Sequence, residues 1–154
     1  VRIGIDVGKA RIGVARTDPH GMLATPVETV ARDASGTTDV TRIHEIVAEH
    51  EAVEIVVGLP LSMRGDDTAS TADARGFAQR LADLEDVPVR MIDERLTTVS
   101  AQSALHSTGR TTRTSRPVID QVAAVILMQH ALDSERASGQ PPGVVVDPSQ
   151  GKGQ

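Results

Sequence analysis

At 154 residues the chain is long enough for one compact domain and too short for two lobes of ordinary size. Its apolar fraction of 39% supports a core, but Phe77 is the sole aromatic residue, so no aromatic platform exists on which single-stranded bases could stack. A net charge of −5 argues against a generally basic nucleic-acid coat, and the lack of cysteine excludes disulfides and thiolate metal sites.

The first third reads as three strands joined by short turns, and therefore as antiparallel neighbours. From Val1 to Val7, Ile3, Ile5 and Val7 alternate with Gly4 and Asp6. A Gly8-Lys9 turn leads into Arg11–Thr17, and a turn at Pro19-His20-Gly21 leads into Ala24–Val30. Val40, Ile43 and Val47 predict a helix over 38–50, and Val53–Val57 is an apolar run expected of a strand covered on both faces. Ser70 and Asp73 have the spacing of a capping box and open a helix with the stripe Ala74, Phe77, Ala78, Leu81 and Leu84. A fifth strand follows over 87–92, then a short helix over 98–106 that stops near Gly109. The last helix is predicted from Pro117 to Ala137. Residues 139–154, rich in Gly, Pro and Gln, read as a disordered tail beyond a domain of residues 1–138. The order βββ-α-β-α-β-α-α predicts an α/β fold: a central mixed five-stranded sheet, helices on both faces, the first, fourth and fifth strands side by side and parallel. No apolar run approaches the roughly 20 residues that span a bilayer, so no membrane partner and a cytoplasmic location are expected.

Charge is segregated along this chain. Between Glu94 and Asp120 there is no acid, while Arg95, Arg110, Arg113 and Arg116 lie there. Residues 107–116 contain hydroxyls and guanidinium groups and nothing apolar, which suits contacts to a phosphate backbone as well as it suits a solvated loop. Arg64, in the loop before the second helix, could also hold phosphate. The acids at element ends carry the sharper signal. Asp6 closes the first strand, the pair Asp93-Glu94 closes the fifth, and Asp120 lies near the start of the last helix. Each alone could satisfy a turn or a helix dipole. Together they would meet at the edge of the sheet, where a divalent cation offsets their mutual repulsion. Adjacent residues of an extended chain point to opposite faces, so one of Asp93 and Glu94 faces the cation, and Glu94 is the choice.

Four stretches in order give the chain a family likeness. They are Gly4-Ile5-Asp6-Val7-Gly8-Lys9-Ala10-Arg11-Ile12-Gly13, Val57-Gly58-Leu59-Pro60-Leu61, Asp93-Glu94-Arg95-Leu96-Thr97-Thr98, and Ile119-Asp120-Gln121-Val122-Ala123-Ala124. Over about residues 2–137 the chain resembles the YqgF/RuvX family, RNase H-like proteins described as Holliday junction resolvases and pre-16S rRNA nucleases. The resemblance implies an RNase H-like fold, metal-dependent hydrolysis of phosphodiester bonds with one or two Mg²⁺ or Mn²⁺ ions, and processing of the 5′ end of pre-16S rRNA during ribosome biogenesis. It places the catalytic and metal-binding acids at Asp6, Glu94 and Asp120. Lys9, Arg11, Arg64, Arg95, Arg110, Arg113 and Arg116 would hold nucleic acid. RuvC resolvases carry an acid at the end of the fourth strand, where this chain has Gly58. Partners would be pre-rRNA and ribosomal precursor particles, or branched DNA if the chain is a junction resolvase, acting as monomer or homodimer. Two other readings stand beside it: a non-catalytic RNA- or ribosome-binding module, and an actin-like phosphotransferase, which would need two such lobes.

Overall fold

A computed structural model of the chain describes residues 1–20, 22–33, 36–61, 64–93, 112–140 and 142–147, and of residues 112–120 the backbone alone. Its strands are β1 (Arg2–Val7), β2 (Arg11–Thr17), β3 (Ala24–Ala31), β4 (Glu54–Leu59), β5 (Val89–Asp93) and β6 (Val144–Val146). Its helices are α1 (Thr38–Glu49), α2 (Ala69–Leu84) and α3 (Thr112–Ser138). They build one six-stranded sheet in the order β3-β2-β1-β4-β5-β6. The three N-terminal strands are antiparallel and β1, β4 and β5 are parallel, as the short turns and the helical crossovers require. The predicted helix over 98–106 lies outside the described residues.

Strand parity divides the core. Ile3 and Ile5 of β1, Ile12 and Val14 of β2, and Ile55 and Val57 of β4 pack with α1 and α2. The alternate positions, Val56 and Ile92 among them, pack with Leu127, Met128 and Ala131 of α3. Phe77, 2% exposed, anchors the first layer from α2. Leu84, predicted to share its stripe, lies at the helix end and is exposed.

The structure revises three expectations. The capping box of α2 is formed by Thr68 and Thr71, not Ser70 and Asp73, and Asp73 instead takes a forked ion pair from Arg32. Helix α3 begins at Thr112, five residues before the predicted start, so Thr112–Arg116 are helical rather than loop. Pro117 then stands inside the helix, where its ring removes one i→i−4 hydrogen bond. Finally, the tail read as disordered contains β6, which pairs antiparallel with β5 through Met91↔Val144, Arg90↔Val145 and Val89↔Val146. Three consecutive β-branched residues suit an open sheet edge, and the surrounding Gly, Pro and Gln masked them.

Gly143 makes that pairing possible. Its φ is +86°, and a Cβ there would lie 2.2 Å from the Met91 carbonyl oxygen. The Gly143→Ala protein is therefore expected to release β6 from β5, with faster amide exchange over 144–146 and a thermal midpoint within a few degrees of the parent. Unchanged exchange would show that the edge tolerates the methyl group.

Three forked or multiple ion pairs join elements: Arg2 to Glu135 (2.6 and 3.0 Å), Arg32 to Asp73 (2.8 and 2.9 Å) and Arg42 to Glu28 (2.6 and 2.9 Å). Hydrogen bonds from the guanidinium groups hold all three carboxyls below their ordinary range. A lowered carboxyl pKa contributes stability that is fully present above the unfolded value, about 4, and lost as pH falls further. Thermal midpoints followed by circular dichroism should hold level from pH 7 to 5 and drop below about pH 4. Glu135→Gln should lower the midpoint at pH 7 and flatten that drop, and an equal drop in the variant would remove Glu135 from the account.

Candidate nucleic-acid-cleaving edge

The direction of α3 determines what gathers at each end of the sheet. Arg2, at the start of β1, binds Glu135 near the end of α3. A Cβ on Gly4 would meet Met128 and the Ala124 carbonyl in the middle of α3. On β3, the Ala24 amide donates to Gln129 and the Thr29 hydroxyl accepts from Gln121. As β1 and β3 advance, their partners step back along α3, so the helix runs antiparallel to both. The backbone of Asp120, one turn before Ala124, therefore lies towards the edge at which β1 ends.

Asp6 sits at that edge. Its register partner on β2 is Gly13, and it is partly buried. Ile3 and Ile5 face α1 and α2, so Gly4 and Asp6 belong to the α3 face. Ile5 pairs with Val57, so the next residue of β4 beside Asp6 is Gly58, buried and without a side chain. Gly58 pairs with Ile92 on β5. Strand spacing of about 4.8 Å thus sets the backbones of β1 and β5 about 10 Å apart, with a glycine on the strand between them.

Parity also sets the face on which Asp93 lies. Val89 and Met91 face α1 and α2, and Ile92 faces α3. Asp93, partly buried and engaged with other groups of the protein, falls on the α1/α2 face, away from Asp6. Glu94, Arg95 and Arg110 lie outside the described residues. Arg113, Arg116 and Asp120 are backbone positions in the first third of α3.

The remaining basic residues differ in setting. Lys9 is exposed in the β1–β2 turn, and Arg64 is exposed in the loop between β4 and α2. Arg11 opens β2 on the same face as Asp6, because its neighbours Ile12 and Val14 alternate onto the other. Sequence reasoning passed over Arg32. Its guanidinium donates to the Gly8 carbonyl at 2.8 Å, and its backbone amide donates to the Ala10 carbonyl at 2.9 Å, so one residue holds both sides of Lys9. An Arg just past a strand carries no periodic signal, and the partner that takes its forked pair, Asp73 of α2, is distant in sequence.

A family model described as "RuvX: Holliday junction resolvase" matches residues 1–134. A protein of Clavibacter sepedonicus named "Putative pre-16S rRNA nuclease" is 63% identical over 145 residues, 94% of this chain and 90% of the relative. One of the same name from Leifsonia xyli subsp. xyli is 58% identical over 98% of this chain and 97% of the relative. Among solved structures, Thermus thermophilus RuvC in complex with a Holliday junction substrate has a TM-score of 0.53 at 20% identity, covering 92% of this chain and 98% of that one, a likeness of fold.

Proposed function

The chain belongs to the RuvX family, and from that premise we propose that it is a divalent-metal-dependent nuclease that trims the 5′ end of pre-16S rRNA in the cytoplasm. The observation that carries the reading is the position of Asp6, near the end of β1 on the face covered by α3, beside Gly58 of β4. Glu94, which the family likeness pairs with Asp6, and Asp120, in the first third of α3, would supply the other two carboxylates. Three such carboxylates would be the hard-oxygen donor set that Mg²⁺ or Mn²⁺ takes.

When bound, the cation lowers the pKa of a water and stabilises the leaving oxygen. The chain's own residues do the rest. Asp6 would anchor the site from the sheet, and Glu94 and Asp120 would complete the set of carboxylates that holds the cation. Lys9, Arg11 and Arg64, joined by Arg95, Arg110, Arg113 and Arg116, hold phosphates and fix the strand across the edge. The RNA substrate follows from the name shared by the relatives, and ribosomal precursor particles are the partners that go with it.

The family model's own description favours a second substrate, a four-way DNA junction. Symmetric resolution requires two active sites and therefore a homodimer. Cleavage of a pre-16S leader fragment beside a four-way junction, each with Mg²⁺ and with Mn²⁺, separates these readings. RNA cutting alone supports the rRNA nuclease, and paired symmetric nicks in the junction support the resolvase. RNA binding with no cutting of either would replace both with a non-catalytic binding module.

A further inference from the structure

The β1–β2 turn follows Asp6 by two residues and presents Lys9 to solvent, yet it is held more firmly than an exposed turn needs. The Gly8 amide donates to the Arg11 carbonyl at 2.8 Å, and a Cβ on Gly8 would come within 2.7 Å of that same oxygen. Arg32 then fixes the carbonyls on either side of Lys9, Gly8 through its side chain and Ala10 through its backbone amide. Arg32 is itself restrained from several directions. Asp73 of α2 takes its forked pair, Asp39 of α1 lies 3.6 Å from its Nε, and the Phe77 ring lies 5.3 Å from its guanidinium carbon. Asp39 is 1% exposed and Phe77 2%, so the anchors of this clamp belong to the core itself.

We propose that Arg32 is a positioning residue that presets the Gly8-Lys9-Ala10 turn, so that Lys9 grips a nucleic-acid phosphate without first having to be ordered. The role rests on the nuclease reading above. A long cationic side chain on a mobile turn loses conformational freedom when it binds, and a turn already fixed loses less. A fork that serves Asp73 and Gly8 together also requires the planar guanidinium, which the point charge of lysine cannot replace. Were Arg32 only a staple between the sheet and the two helices, its removal would lower stability and leave the worth of Lys9 untouched.

A double-mutant cycle on the full chain separates these roles. The probe is a fluorescently labelled single-stranded RNA, with affinity read by anisotropy in EDTA so that no cleavage intervenes. Lys9→Ala and Arg32→Gln are each expected to weaken binding roughly threefold to tenfold. The double variant should bind no more weakly than Lys9→Ala alone, because the clamp acts only through Lys9. Asp73→Asn, at a partly exposed carboxylate, loosens the clamp while leaving Arg32 to Asp39. It should show the same dependence on Lys9 at smaller size, and it carries the cycle if Arg32→Gln does not fold. Factors that multiply in the double variants, or an unchanged affinity in Lys9→Ala, would overturn the positioning role while metal-dependent cleavage by the parent chain still stood. Failure of the parent chain to bind RNA would instead remove the rRNA-nuclease reading, and this role with it.

Discussion

Asp6→Asn is expected to abolish metal-dependent cleavage while the protein stays folded. The substitution keeps the size of the side chain and most of its capacity to accept hydrogen bonds, and removes the negative charge. A hard divalent cation depends on that charge. Loss of several kcal/mol of transition-state stabilisation at such a site corresponds to at least a hundredfold fall in rate. Stability should change little, because Asp6 is only partly buried and lies at a strand end. Circular dichroism is the appropriate readout, since the chain has no tryptophan or tyrosine for intrinsic fluorescence. Asp93→Asn is the paired control: it stands on the other face of the sheet and should retain most of the cleavage rate. Full activity in Asp6→Asn would end the proposed mechanism, and equal loss in both variants would mean that parity does not sort the acidic pair.

Gly4→Val is expected to destabilise the protein and to slow cleavage together. A Cβ at Gly4 would lie 3.0 Å from the Met128 sulfur, 3.2 Å from Met128 Cβ and 3.3 Å from the Ala124 carbonyl oxygen. The thioether can swing aside, but the other two atoms belong to the body of α3. Valine brings two further methyl groups into the same space, and overpacking of this kind costs about 1–3 kcal/mol. The strain separates α3 from β1, and the first third of α3 carries Asp120. We therefore expect a lower thermal midpoint together with a cleavage rate reduced more than tenfold. Met128→Ala in the Gly4→Val background should recover part of the stability, because the new side chain fills the space that methionine leaves. A Gly4→Val protein as stable as the parent would show that α3 is free to shift.

Much of this arrangement is legible along the chain. Alternation in β1 and β4 reports which side chains face which layer, and helical spacing does the same for α1 and α2. The short turns after Val7 and Thr17 make the first three strands antiparallel. Local signals failed where two local rules competed or where the partner was remote. Ser70-Asp73 and Thr68-Thr71 have identical spacing, and the choice fell to Thr71, whose hydroxyl also reaches the Pro60 carbonyl. Pro117 marks a helix start by propensity, yet a helix packed along the whole sheet tolerates it internally. β6 was hidden because a strand of three residues exists only when a neighbouring edge supplies its hydrogen bonds.

By itself, then, the sequence determined the acids, the strand parity that groups Asp6 with Gly4, and the family likeness, since these depend on residue identity and short periodicities. The tertiary structure decided the rest. It set α3 antiparallel to β1, put Gly58 between β1 and β5, carried Asp93 to the opposite face from Asp6, and brought Arg32 across from β3 to hold Lys9. Those relations join residues tens of positions apart. They arise when the two faces of one sheet are covered by helices whose direction no local pattern encodes.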